Sequence, residues 1–254
     1  MLASCRRVAF QQLPTLRHRL PLQLASAVAS SLFPQPSHHI TVRTMKVYTK
    51  TGDKGTSQLF SGERRSKDDA VFMALGDTDE LNAQIGVALT QFQLTGVEST
   101  LRPGVEFQAR LEEIQSRLFD VGASVATPLS SAGQSKIRRA EFDPSNVAVL
   151  EQWIDEMDEH LEPLRNFILP SGGGLTSCQL HVARAVCRRA ERRVVSIGSE
   201  DVDPVVIQYL NRLSDFLFVA ARFVAFVEGK TETIWKKQTK ASDATSPPPS
   251  SSSS

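Results

Sequence analysis

An all-α chain, a five-helix up-and-down bundle, is what this sequence predicts, and three observations predict it. Apolar side chains recur at three- and four-residue intervals almost throughout residues 64–235. Strand-like alternation is scarce, with one short extended candidate at MKVYT, residues 45–49. The connections between the periodic segments are short, as the neighbouring helices of a bundle require.

The elements follow in order. Val71, Ala74, Leu75, Thr78, Leu81, Ile85, Ala88 and Leu89 form the apolar stripe of a first helix. Phe107, Leu111, Ile114, Leu118, Val121 and Val125 form that of a second. The third opens at DPSN, with Asp143 as cap and Pro144 in the first turn, and its stripe runs Val147, Leu150, Ile154, Met157, Leu161. A fourth begins after LPSGGG and runs to about Ile197, with Leu175, Val182, Val186, Ala190, Val194 and Ile197 toward the core. A fifth spans about Asp203 to Glu228 on Val206, Leu210, Leu213, Leu217, Val224 and Val227. Opposite that stripe lie Asn211, Asp215, Phe218 and Arg222, a polar line expected to face away from the core.

The two ends differ from the middle. Residues 1–52 hold no Asp or Glu but carry Arg6, Arg7, Arg17, Arg19 and Arg43, the composition of an organellar transit peptide over 1–44. A mitochondrial matrix address is expected; a plastid address shares the composition, and a secretory reading is weakened because Pro21 and Gln23 break the apolar run. A folded domain is expected over 45–240, and the Ser- and Pro-rich residues 241–254 are expected to be a disordered tail. A net charge of +1 is not that of a nucleic-acid binder, and no apolar run is long enough to span a membrane. Cys178 and Cys187, nine residues apart on one helix, fall on opposite faces, too far apart for a disulfide. The five histidines form no zinc-binding pattern.

Three stretches carry chemistry. CRRAERRVV, residues 187–195, lies on the fourth helix, where Arg184, Arg188 and Arg192 recur every four residues on the side away from the core, with Glu191 beside them. Like charges at that spacing repel by a few tenths of a kcal/mol per pair. The face is either a solvated or subunit-facing surface, or a site where guanidinium forks meet an anion. YTKTGDKGTSQLFSGERRSKDD, residues 48–69, is dense in Thr, Ser, Gly and Lys, side chains that let backbone amides, hydroxyls and ammonium groups approach phosphate. It is not the GxxxxGK[ST] nucleotide loop. LPSGGG precedes a helix whose free amides either bind an anion or merely follow a turn.

Taken together, TKTGDKG (49–55), GERRSKDD (62–69), DTDELNAQIG (77–86), FILPSGG (167–173), CRRAERRVV (187–195) and LNRLSDFLF (210–218) resemble the PduO-type ATP:cob(I)alamin adenosyltransferases, in order over roughly 46–235, and the mitochondrial animal-type enzyme best. The resemblance implies a ferritin-like five-helix bundle, a homotrimer with sites between subunits, and transfer of the 5′-deoxyadenosyl group of ATP to the cobalt of cob(I)alamin. It places Thr49, Lys50, Thr51, Gly52, Ser57 and Gln58 around the nucleotide, with Lys67, Arg188, Arg192 and Asn211 as further ATP contacts. Arg189, Ala190 and Glu191 are carried over inside the same motif. It implies that Arg184 pairs with Asp79 across the subunit boundary and that Phe167 covers the lower face of the corrin ring. Catalytic weight then falls on Arg188, Arg192 and Phe167. Mg²⁺ accompanies ATP, and methylmalonyl-CoA mutase and a cobalamin reductase are the implied partners. Two departures stand out: SGGGLTSC is one residue longer than the usual loop, and Gln58 replaces a common Ser or Thr.

Reduced cobalamin is itself a strong nucleophile, so the protein need not supply a Ser, Cys or His attacker, and the sequence shows no convincing triad. His181 is read as structural, and Asp155, Asp158, Glu159 and Glu162 as a solvated acidic face. Two competing expectations remain: a non-catalytic ATP-binding escort that carries adenosylcobalamin to an acceptor mutase, and an ATP-dependent phosphotransferase.

Overall fold

A computed structural model describes residues 48, 50–97, 100–102 and 105–238. The expected transit segment 1–44, Thr49 and the tail 241–254 lie outside the described residues, as does most of MKVYT. The chain divides into two units between Tyr48 and Thr49, and every element below belongs to the second.

Six helices are present among the described residues: α1 (Ala70–Thr95), α2 (Phe107–Val125), α3 (Gln134–Arg139), α4 (Ser145–Asp158), α5 (Leu175–Val195) and α6 (Pro204–Val227). The sixth beyond the five expected is α3, which buries no residue and so has no apolar stripe to announce it. Two small antiparallel hairpins complete the structure, β1 (Thr56–Gln58) with β2 (Arg64–Ser66), and β3 (Thr100–Arg102) with β4 (Val105–Glu106). Residues 64–69, expected to begin the helical region, instead form β2 and a turn; α1 starts at Ala70 because Asp69 caps it, accepting from the Val71 N–H at 2.9 Å. The Asp143 carboxylate accepts from Ser145 N–H at 2.8 Å at the head of α4, which ends at Asp158, short of Leu161.

The long helices pack in the order α2, α1, α5, α6, α4, so that α5 lies between two neighbours. Phe92 meets Phe107 edge-on at 5.2 Å, and Phe107 reaches Phe223 at 5.9 Å, joining α1, α2 and α6 in one core. Asn82 Nδ2 donates to Gln115 O (3.0 Å) and Gln115 Nε2 donates back to Asn82 O (3.1 Å), which fixes the axial register of α1 on α2. The Arg110–Glu156 ion pair fastens α2 to α4, with the guanidinium over the Trp153 ring.

Two faces differ from their sequence expectation. On α5, Leu175 and Val182 are 69% and 47% exposed, while Thr176, Ser177, Leu180, His181, Ala183, Val186, Cys187, Ala190 and Val194 are buried. A helix between two neighbours buries a wide arc, and small or polar side chains fill its flanks where α1 and α6 approach closely. The apolar pattern alone therefore set the core direction too far round the helix. On α6, Arg222 is buried rather than solvent-facing, because acidic and carbonyl groups from other segments reach it.

The triple glycine before α5 is set by crowding. Gly172 has φ +91°, and a Cβ there would stand 2.3 Å from Thr233 Oγ1 and 2.9 Å from Thr231 O. Gly172→Ala is expected to destabilise the protein by about 1–3 kcal/mol, measured as a lowered urea midpoint; an unchanged midpoint would show that the 231–233 segment yields freely.

Candidate active site

The first part of the site is a loop closed by a hairpin. Leu59 is buried and anchors the β1–β2 turn, in which its N–H donates to Glu63 O at 2.8 Å. Phe60 N–H and Lys136 Nζ tie the turn to Ala126 O just beyond α2 (3.0 Å) and to α3 through Ser61 O (2.5 Å). Gly52 lies directly beneath Lys67: a Cβ on Gly52 would be 3.2 Å from Lys67 Nζ. Two residues singled out from separate motifs are thus brought together, and a Cβ on Gly52 would require the Lys67 side chain to shift slightly. Lys50 adopts a left-handed φ of 59°. Ser57 lies in β1 opposite Arg65, and Gln58 Nε2 donates to Gly62 O at 3.1 Å, closing the hairpin with the amide that replaces a hydroxyl. Thr49 lies outside the described residues.

Sequence reasoning missed Arg64. Its Nη2 donates to Thr51 O (2.9 Å), Thr56 O (3.3 Å) and Thr56 Oγ1 (2.7 Å), so one guanidinium sets the curvature of the 51–56 loop. The only signal was its place in GERRSKDD, where it was indistinguishable from a solvated charge.

The second part is α5, whose arginines have different fates. Arg189 pairs with Asp77 (3.3 Å) and Glu80 of α1, and Arg193 reaches Asp77 at 3.5 Å. Arg184 lies over the Phe218 ring, 5.8 Å from its centroid, and its buried Nε has no hydrogen-bond partner. Glu191 accepts from Asn211 Nδ2 at 3.0 Å, linking α5 to α6 at the arginine edge. Arg192 Nη1 donates to Arg188 O at 3.0 Å. Arg188 and Arg192 are both exposed, and neither guanidinium forms an ion pair among the described residues. Ala190 is fully buried on the opposite side, beneath them.

Asp79 opens into a groove of about 440 Å³ between α1 and α2, beside Asn82, Gln115 and the 71%-exposed Phe119. His181 packs against Phe218 at 6.0 Å; burial, and then the charge of Arg184, hold its imidazole below the ordinary value. Burial pushes the Cys187 thiol far up, so it is inert at neutral pH, and its Sγ–H donates to Leu210 O at 3.2 Å.

The third part is a shelf before α5. The Phe167 ring is 79% exposed and meets the Trp235 ring edge-on at 6.2 Å. Leu164, Arg165, Asn166, Phe167, Trp235 and Lys237 line an open pocket of about 480 Å³.

The cobalamin adenosyltransferase family model matches residues 47–224, a span that contains the hairpin loop, the α5 arginines and the shelf phenylalanine. The chain belongs to the cobalamin adenosyltransferase family. It is 50% identical over 205 residues to the corrinoid adenosyltransferase MMAB of Bos taurus, covering 80% of this chain and 81% of that protein. It is 48% identical over 212 residues to the Homo sapiens protein of the same name, covering 83% and 81%. Among solved structures, it resembles a phenylalanine-to-alanine variant of the PduO-type ATP:corrinoid adenosyltransferase from Lactobacillus reuteri complexed with cobalamin and ATP. That likeness has a TM-score of 0.64 and 32% identity, and spans 76% of this chain and 100% of the other. An arginine-to-lysine variant of the Lactobacillus reuteri enzyme, complexed with ATP, gives 0.63 and 31%, over 75% and 100%.

Within this cobalamin adenosyltransferase the arginines separate by stability. Arg188→Ala is expected to change unfolding free energy by less than about 0.5 kcal/mol, whereas Arg189→Ala loses up to about 1 kcal/mol with its α1 pairs. Chemical denaturation of both variants checks this, and a larger loss for Arg188→Ala would move that residue into the architecture. His181 gives a pH limb. Its folded pKa lies below the unfolded value of about 6.5, so the unfolded state binds the proton first and stability falls as pH drops below that value. His181→Gln should flatten that limb below about pH 6.5; an unaltered limb would assign it to other groups.

Proposed function

We infer that this chain is an ATP:corrinoid adenosyltransferase: it transfers the 5′-deoxyadenosyl group of ATP to the cobalt of cob(I)alamin, giving adenosylcobalamin and inorganic triphosphate. The reduced cobalt supplies the electron pair for the new Co–C5′ bond. The C5′–O bond breaks, and its pair leaves on the triphosphate. The observation that carries the residue assignment is the pair Arg188 and Arg192, exposed on one arc of α5 and without an acidic partner among the described residues.

The protein's task is positioning and charge stabilisation. Lys50 and Lys67 meet the triphosphate from the loop, Thr51, Gly52, Ser57 and Gln58 border the nucleotide, and Thr49 belongs to the same loop. Arg188 and Arg192 neutralise the charge that grows on the leaving group, and Glu191 with Asn211 holds that edge of α5 in register with α6. Mg²⁺, when it accompanies the nucleotide beside Lys50, Lys67, Arg188 and Arg192, would help neutralise phosphate charge. No group of three or more His, Cys, Asp or Glu that could hold a metal ion lies among the described residues. Phe167 covers the lower face of the corrin and keeps a ligand from the cobalt, which eases reduction of cob(II)alamin.

The active unit is a homotrimer of bundles built from the five long helices, with each site shared between two copies. The loop is fastened to the α2–α3 end while the free arginines stand on α5, an arrangement that favours completion by a neighbour. Arg184 then meets the neighbour's acidic groove at the position of Asp79. The exposed Leu175 and Val182 give α5 apolar surface for such a contact. Residues 1–44 form a mitochondrial leader, 45–240 the catalytic domain and 241–254 a tail. The similarity to animal relatives supports a matrix enzyme; a cobalamin reductase as supplier and methylmalonyl-CoA mutase as acceptor complete the proposal.

Purified protein incubated with ATP, Mg²⁺ and chemically reduced cobalamin is expected to yield adenosylcobalamin and triphosphate. ATP binding without turnover would support the escort instead, and ADP would indicate phosphotransfer. Arg188→Ala is expected to lower kcat by about 10²–10³-fold, the usual cost of a lost charge-stabilising donor, with oligomeric state unchanged by sedimentation; loss of assembly in that variant would contradict its assignment.

A further inference from the structure

Phe167 has no core contact to orient it. Its ring is 79% exposed and meets the exposed Trp235. Residues 159–174, between α4 and α5, contain no helix or strand, only an isolated bridge at Ile168. The direction of the ring must therefore come from the backbone, and that backbone is held from one side by the segment after α6. Leu169 N–H donates to Thr233 O and Trp235 N–H donates to Phe167 O, both at 2.8 Å, around an antiparallel bridge between Ile168 and Ile234. Gly172 lets the same segment press against the loop from below, since any Cβ there would collide with Thr231 O and Thr233.

One buried side chain holds both partners of this bridge. Arg222 of α6 directs Nε to the Glu232 carboxylate, at 3.3 and 3.4 Å, three residues before Trp235. Its Nη2 donates to Glu162 O at 2.8 Å, five residues before Phe167. Asp158, at the end of α4, stands 4.0 Å from Nη1. A buried guanidinium is costly to leave unpaired, so the core has a standing demand for the Glu232 carboxylate and the Glu162 carbonyl. Meeting that demand sets the two segments side by side.

We propose that Arg222 and Glu232 form a clamp that fixes the Phe167–Trp235 shelf, making Glu232 a positioning residue for the lower corrin face. The proposal rests on the role given to Phe167 above. Glu232 touches no substrate; it acts by holding the segment that carries Trp235 and, through two backbone hydrogen bonds, Phe167. Nucleotide chemistry at Lys67 and Arg188 stands apart from the clamp. Loss of the clamp therefore alters corrinoid handling while leaving ATP binding intact, a split that general unfolding would not give.

The test compares full-length Glu232→Gln, Phe167→Ala and Trp235→Pro. The last removes, at an exposed position, both the Trp235 N–H bond to Phe167 O and the indole that meets the Phe167 ring, and it leaves Arg222 paired. Three quantities are read: ATP affinity, amide hydrogen exchange over 167–169 and 233–235, and the absorbance and paramagnetic resonance spectra of cob(II)alamin bound with ATP. Glu232→Gln is expected to keep ATP affinity within about twofold and to speed exchange in both segments by about tenfold or more. It should also lower the fraction of cob(II)alamin lacking its lower ligand, as should Trp235→Pro. Unchanged exchange and spectra in Glu232→Gln, with altered spectra in Phe167→Ala, would overturn the clamp alone. Unaltered spectra in Phe167→Ala would overturn the role of Phe167 and the clamp's function with it. If Glu232→Gln does not fold, altered spectra with normal ATP affinity in Trp235→Pro support the shelf's dependence on the segment, and unaltered spectra overturn it.

Discussion

Five arginines within residues 184–193 must each find a negative partner, an aromatic face or water, and the rest of the site depends on how α5 divides them. Like charges one turn apart cost a helix a few tenths of a kcal/mol per pair, a repulsion that grows where neighbouring helices exclude water. Two arginines are met by acids of α1, since Asp77 takes both Arg189 and Arg193 and Glu80 shares Arg189. Arg184 is laid over Phe218 of α6. Arg188 and Arg192 are left facing outward with their donors free of any acid among the described residues. A tetravalent triphosphate is the kind of partner such a remainder suits. Packing α5 between α1 and α6 is thus also what selects which arginines stay available.

The same economy explains how little covalent machinery the chain carries. A nucleophile as strong as cob(I)alamin removes the need for an activated serine or cysteine. Cys187 illustrates the point, being buried, held in its thiol form and spent on a hydrogen bond between two helices. What remains is geometry: a loop bent by Arg64 so that Lys67 lies on Gly52, and a shelf whose aromatic ring is aimed by backbone. In both features an exposed side chain is set in place by other groups of the protein.

Helix positions were legible from the apolar period in α1, α2, α4, α5 and α6; Phe107 opens α2 and Val125 closes it, as the stripe indicated. What was not legible is instructive. Leu175 and Val182 looked like core residues because an apolar side chain carries the same sequence signal whether it faces its own core or another surface. Arg222 looked solvent-facing because its partners, Glu162 and Glu232, come from segments with no periodicity to place them. The hairpin at 56–66 is too short and polar to alternate. Gly52 and Lys67 could be named from motifs, but their contact could not, since it depends on how that hairpin folds back. The division of labour among the arginines needed the acids of α1, which sequence spacing on α5 alone does not reveal.

In the proposed enzyme, loop lysines and helix arginines act on one triphosphate and come from different copies of the chain. The sharpest test mixes two impaired variants, Lys67→Ala and Arg188→Ala, and allows their subunits to exchange. In a mixed trimer, one interface pairs an intact loop from the Arg188→Ala copy with an intact α5 from the Lys67→Ala copy. Adenosylcobalamin formation is expected to rise on mixing well above the low rate of either variant alone. A mixture that exchanges subunits and stays at that low rate would contradict the shared site, because no single chain in that mixture carries both halves of the site.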